Sequence, residues 1–201
     1  VPNAYVSLTT FKGTAGLDIS GTQYDGRLRQ LIENVSQEVN NYTNRHFYHL
    51  IETRTFDGDG STMLAVPDLI AIPGSGLKED ENYDGTYDVV WPAAAFIYAP
   101  YNAAPTAQWG RPYTHIQVEP KSTGTQDVFL KGVRNYEITG TWGYTRYLQD
   151  IAGDLSASIN ATVTTLTLTS AGTASIGETI VIDDEQLYIT GTGTGSDLTV
   201  Q

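Results

Sequence analysis

DGRLRQLIENVSQEVNNYTNR, residues 25–45, places Leu28, Leu31, Ile32, Val35, Val39 and Tyr42 at i, i+3, i+4, i+7, i+11 and i+14. With about 3.6 residues per turn those positions share one face, so the spacing predicts an amphipathic α-helix of about five turns. Asp25 reads as its N-cap, and Glu33 and Glu38 fall on the wet side. One helix cannot bury such a stripe alone; it needs a sheet or neighbouring helices, those of another subunit included. The residues before it, 1–22, read as irregular, because Gly13, Gly16 and Gly21 break any pattern.

Strand signals follow the helix. HLIETRTF (49–56) and TMLAVP (62–67) flank the turn DGDGS (57–61); LIAIP (69–73), DGTYDVVWP (84–92), THIQVEP (114–120), DVFLKG (127–132) and VRNYEITGTWGY (133–144) continue the series. Between them PAAAFIYAPYNAAPTAQWGRPY (92–113) carries four prolines and five aromatics. Prolines at that spacing exclude a helix or a central strand, so the stretch reads as a long ordered loop pinned by its rings. Loops of that length in compact domains are functional or belong to interfaces. One leading helix and several strands predict an α+β fold: a long N-terminal helix with a small, mostly antiparallel sheet, over residues 1–153.

From residue 154 the texture changes. SINATVTTLTLTS (158–170), SIGETIVID (175–183), EQLYITGTG (185–193) and SDLTVQ (196–201) read as short strands of a C-terminal all-β module, with an acidic turn at Asp183-Asp184. Charge marks the same boundary: residues 1–153 hold all 11 basic residues and 17 of the 23 acidic ones, and residues 154–201 hold none and six. The last strand stops at Gln201, so the module is expected to be incomplete at its C-terminus.

Composition excludes several kinds of function. Without cysteine there is no disulfide framework, thiolate nucleophile or Cys-ligated zinc. No run approaches the roughly 18 apolar residues of a membrane helix, and no signal-peptide pattern stands at the start. A net charge of −12 repels phosphate and offers no footprint for nucleic-acid binding, yet suits the wall of a passage through which DNA slides.

Sites of chemistry are weakly signalled. DGDGS sets Asp57, Asp59 and Ser61 at positions 1, 3 and 5 of a calcium loop, but Thr62 stands where that loop needs glycine and Asp68 where it needs glutamate. A polar β-turn is the simpler reading. The run KEDENYD (78–84) reads as a solvated loop. His46 and His49 lie at a helix end and, with His115 remote in sequence, form no ligand set of usual spacing. GTGTGS (191–196) is glycine-rich but is followed by no helix and has no lysine nearby, so it does not read as a phosphate cradle. No nucleophile elbow occurs, so no enzyme, metal or cofactor is expected.

The order of motifs resembles the head–tail connector (adaptor) proteins of tailed bacteriophages over about residues 20–150: a D-x-x-L-x-x-L-I helix from Asp25, a helix end running into NRHF, strands carrying DGDGS and VPDLIAI, and a closing ITGTWGY strand. The segment DLSASINATVTTLTLTSAGTASIGETIVIDDEQLYIT (154–190) resembles a small β-module of phage structural proteins, which in relatives leads into a C-terminal helix that docks on the portal; this chain stops before it. The resemblance implies a virion protein of the neck, assembled in the host cytoplasm. It implies a homo-oligomeric ring of about twelve copies between the portal and a tail-completion (stopper) protein, extending the DNA channel without specific DNA binding and without a membrane. Phe96, Tyr98, Tyr101, Trp109 and Tyr113 are the expected subunit or partner interface, since aromatics anchor interfaces. Asp57, Asp59, Glu79, Asp80 and Glu81 are the expected channel-facing acids, on charge alone. Leu28, Leu31, Ile32, Val35, Val39, Tyr42, Trp142 and Tyr144 are the expected structural core, with Gly143 turning the strand. The alternative is a surface or glycan-binding module of a virion or host-attachment protein.

Overall fold

A computed structural model of the chain describes residues 4–14, 19–120, 126–146, 153–170, 174–182, 185–193 and 195–201. The elements are helices α1 (Leu8–Lys12) and α2 (Asp25–Thr43), strands β1 (Leu50–Gly58), β2 (Met63–Ala71), β3 (Leu77–Glu79), β4 (Val89–Val90), β5 (Phe96–Ala99), β6 (Tyr113–Val118), β7 (Gly132–Trp142), β8 (Thr165–Thr167), β9 (Thr179–Ile182), β10 (Glu185–Thr192) and β11 (Asp197–Val200). The α+β expectation is corrected: of the described residues 37% are strand and 15% helix, so the molecule is mostly β. The periodicity of one 19-residue helix is conspicuous in the sequence, whereas most of the strands are short. The stretch 92–113 also hides β5, which ends just before Pro100 and, among the described residues, pairs only with β6. As an edge strand it meets the condition that proline sets.

The chain divides into two compact units, residues 45–148 and residues 1–44 with 149–201. The composition break expected at 153/154 lies close to the return into the second of these, but α2 belongs with the C-terminal strands.

In the 45–148 unit, β7 organises a seven-stranded antiparallel sheet that curves as a half-barrel. One of its edges pairs with β1, from Leu50↔Trp142 to Phe56↔Tyr136. The other pairs with β3 at Leu77↔Ile138 and with β2 at Leu69↔Trp142. Sheet order then runs from β2 through β6 to β5, and β4 extends β3. Inward residues form one core: Leu64, Leu69, Leu77, Trp91, Ile116, Phe129, Tyr136, Ile138 and Trp142. Trp91 stacks on Phe129 with centroids 4.8 Å apart, and Tyr136 meets both rings edge-on at 6.0 and 5.3 Å. Each buried ring contributes on the order of 2–3 kcal/mol. Trp142 stacks on Phe56 at 5.5 Å and lies under the Arg54 guanidinium at 4.4 Å. Its indole N–H donates to the Glu52 carbonyl at 2.9 Å.

The expected turn at Gly143 is real and has a steric cause. Its φ is +139°, and a Cβ there would stand 2.2 Å from the Tyr48 carbonyl oxygen. Only glycine allows the backbones to cross so closely. Gly143 N–H then donates to Asp68 O at 2.7 Å and Tyr144 N–H to His46 O at 2.9 Å. Tyr144 is half-buried against Phe47, at 5.5 Å.

In the other unit, β8, β11, β10 and β9 form an antiparallel sheet in that order around Leu166, Leu168, Ile180, Ile189, Leu198 and Val200. The strand read over 158–170 shortens to β8, because Asn160 folds into a turn, its Oδ1 accepting from Thr162 N–H at 3.0 Å. The acidic turn at Asp183-Asp184 lies outside the described residues.

Helix α2 forms where the periodicity places it and ends at Asn44, which takes the left-handed cap conformation with φ 52°. Asp25 does not cap it. Tyr24 holds that position with no side-chain bond, and Asp25 pairs with Lys12 at 2.7 Å.

Candidate interaction surfaces

The core assignment of the α2 stripe is half wrong. Leu31, Val35, Val39 and Tyr42 are 52, 58, 39 and 91% exposed, whereas Leu28 and Ile32 are half-buried. The turned-in face follows 28, 32, 36 and 40, a spacing of four, and its centre is polar. Ser36 and Asn40 are buried. Ser36 Oγ accepts from Tyr5 N–H at 3.1 Å and donates to Ile32 O at 2.7 Å, and the Tyr5 hydroxyl donates to Asn40 Oδ1. Toward β10, Arg29 donates to Thr190 O at 3.2 Å, and Glu33 bonds the Tyr188 hydroxyl, which burial and this carboxylate hold above the ordinary phenol range. Polar bonds thus bind the inner face, and the apolar stripe is left outward.

The five aromatics of 92–113 divide. Phe96 is buried; Tyr98 and Tyr113 are half-buried and stacked at 4.7 Å. Tyr98 Oη accepts from Ile72 N–H at 3.0 Å, and burial raises its pKa. All three fasten the sheet edge, and Phe96, being buried, is corrected as an interface residue. Tyr101 and Trp109 project, 64 and 91% exposed. The loop that carries them is firmly held. Pro105 O accepts from Arg146 N–H at 2.8 Å and Thr145 Oγ1 at 2.9 Å, and Gly110 sits so tight on Ala104 that a Cβ would be 1.7 Å from its oxygen. Trp109 itself has φ 65°, a left-handed conformation unfavourable for a bulky residue.

The expected acidic wall also divides. Asp57, Asp59 and Glu81 are exposed, but Glu79 and Asp80 are only 4 and 5% exposed and cannot face a channel. Glu79 ends β3, so its side chain enters the core. There Oε2 accepts from Trp91 Nε1 at 2.8 Å and Oε1 from the Tyr136 hydroxyl at 2.7 Å. The Tyr136 oxygen in turn accepts from Leu130 N–H at 2.6 Å. Burial, then the carboxylate, push the Tyr136 phenol far above its ordinary range. Asp80 closes its own loop, accepting from Gly85 N–H at 2.8 Å and Asp84 N–H at 3.2 Å. Asp59 accepts from Ser61 N–H at 2.8 Å and Asp57 from Arg134 N–H at 2.6 Å. Bonds to Ser61 hold the Asp59 carboxyl below its ordinary range. Asp57 and Gly58 thus end β1, and the rest of DGDGS, from Asp59, makes the polar turn.

One surface escaped the reading: the outer edge of β1. Its signal lay in HLIETRTF, where alternating positions carry opposite charges at Glu52 and Arg54. Among the described residues no three His, Asp or Glu side chains gather as a metal-ligand set, and no helix is long and apolar enough to cross a membrane. No family model, curated protein or solved structure matches the chain.

Proposed function

We propose that this chain is a non-enzymatic virion protein, a head–tail adaptor that forms a ring in the phage neck between the portal and a tail-completion protein. The observation that carries the reading is the outward stripe Leu31, Val35, Val39 and Tyr42 on α2. Four large apolar side chains in one row cost free energy in water, roughly 25 cal/mol per Å² left uncovered, and a neighbouring copy covers them. A ring needs two different surfaces per subunit, and the projecting Tyr101 and Trp109 supply the second. The net charge of −12, with Asp57, Asp59 and Glu81 exposed, suits a channel that passes DNA without holding it.

The test is the assembly state of the full chain, alone and with a portal, by light scattering and negative-stain imaging. The expected result is a closed ring, which Val35→Asp disrupts while leaving the circular-dichroism spectrum unchanged. A monomer in both settings overturns the reading.

A further inference from the structure

Strand β1 is nine residues long and pairs with β7 along one edge only; among the described residues no strand pairs with the other. The other sheet-edge strands, β4, β5, β8 and β9, have two, four, three and four residues. A long uncovered edge offers unpaired N–H and C=O groups to any further strand, and proteins blunt such edges with charge, proline or brevity. The exposed edge of β1 has no proline; of its three charges, Glu52 and Arg54 are opposite in sign and lie on one face, and Asp57 lies near its end on the other. Ile51, on the other face, is 47% exposed.

Residues directly opposite in an antiparallel pair lie on the same face. Two copies of β1 centred on Thr53 therefore oppose Glu52 with Arg54, Ile51 with Thr55, and Leu50 with Phe56, in both directions. Centring on Glu52 or on Arg54 sets like charges against each other. A register centred between two residues would turn the buried face of one sheet outward. Centring on Ile51 or Thr55 avoids both faults but sets neither charge against its opposite; the Thr53 centre avoids both and also opposes Glu52 with Arg54.

We infer that two copies of this chain pair through β1, antiparallel about a two-fold axis at Thr53, joining their half-barrel sheets into one continuous sheet. The contact is isologous and closes at two copies. It is thus a different association from the ring and does not rest on the adaptor reading. The intrachain Glu52–Arg54 pair becomes a four-charge cluster across the axis, and the apolar parts of Ile51 and Leu50 gain cover.

The chain has no cysteine, so Thr53→Cys carries a single thiol. Under diamide it should cross-link into a dimer at least tenfold faster than Thr55→Cys, whose two copies would stand about 14 Å apart along the strands in this register, four residues at about 3.4 Å each. In sedimentation equilibrium, Arg54→Glu and Glu52→Arg should each weaken the dimer at least tenfold, and the double exchange should restore it. Circular dichroism checks that all variants keep the native spectrum. Equal cross-linking at 53 and 55, a dimer indifferent to the single charge reversals, or no species linked through position 53 at tens of micromolar overturns the inference, whether or not rings form.

Discussion

The residue that best exposes the logic of the sheet unit is Tyr136. Its hydroxyl donates to Glu79 and accepts from Leu130 N–H, and no solvent reaches the ring. Tyr136→Phe leaves both groups buried with one bond fewer, at about 1–3 kcal/mol for each group left unpaired. Urea titration should show the midpoint falling accordingly. The pH dependence has a definite sign. The folded state raises the Tyr136 pKa above the ordinary 10.0, and those of Tyr98 and Tyr188 too. The unfolded chain therefore loses these protons first, so their contribution is whole below pH 10 and declines as pH rises beyond it. Melting temperature between pH 8 and 12 should fall most steeply above 10, with phenolate absorbance at 295 nm appearing together with unfolding, and Tyr136→Phe should flatten that slope. None of this was legible in KEDENYD. Glu79 looks like its neighbours Asp80 and Glu81, and its donors lie 12 and 57 residues away. Gly143 was legible, because a glycine between two large aromatics at a strand end has few other uses.

At the scale of elements, the periodicity of α2 predicts a helix, which forms, and a core face, which four of its six apolar residues do not supply. Periodicity tells which residues share a face and says nothing of what meets it. Here Tyr5 binds Ser36 and Asn40, Arg29 and Glu33 bond Thr190 and Tyr188, and the stripe turns to water. The 92–113 stretch shows the converse. Its prolines marked a boundary, but the FIYA segment before Pro100 obeys strand rules as an edge. Trp109 puts the proposed interface to the test. A left-handed bulky residue costs about 1–2 kcal/mol, and a ring 91% exposed returns little packing for that strain. Trp109→Gly should therefore leave stability equal or higher, within about 1 kcal/mol, while reducing ring assembly. Thermal melts and light scattering on the same samples separate the two effects.

At the scale of the whole molecule, the chain leaves one unit after residue 44 and returns to it at 149, so the half-barrel unit is an insertion between α2 and the C-terminal strands. Composition located the return to within a few residues, because the basic residues stop there. It could not assign α2, since the bonds from Arg29 to Thr190 and from Glu33 to Tyr188 span more than 150 positions and leave no local trace. The assignment has a consequence that the composition boundary denies. Tyr188 is 3% exposed yet stands outside the apolar cluster of its own sheet. Its cover involves the helix, and removing that cover uncovers a ring whose burial contributes about 2 kcal/mol. So few strands and so small a core leave little stability in reserve. A fragment of residues 154–201, cut where composition changes, should therefore lack a cooperative melt and near-ultraviolet dichroism. A fragment of residues 45–148, which keeps its whole seven-stranded sheet and aromatic core, should show both. A well-folded 154–201 fragment would mean that α2 is a passenger on that sheet, and the outward stripe would then have to be explained without a helix fixed in place by its polar side.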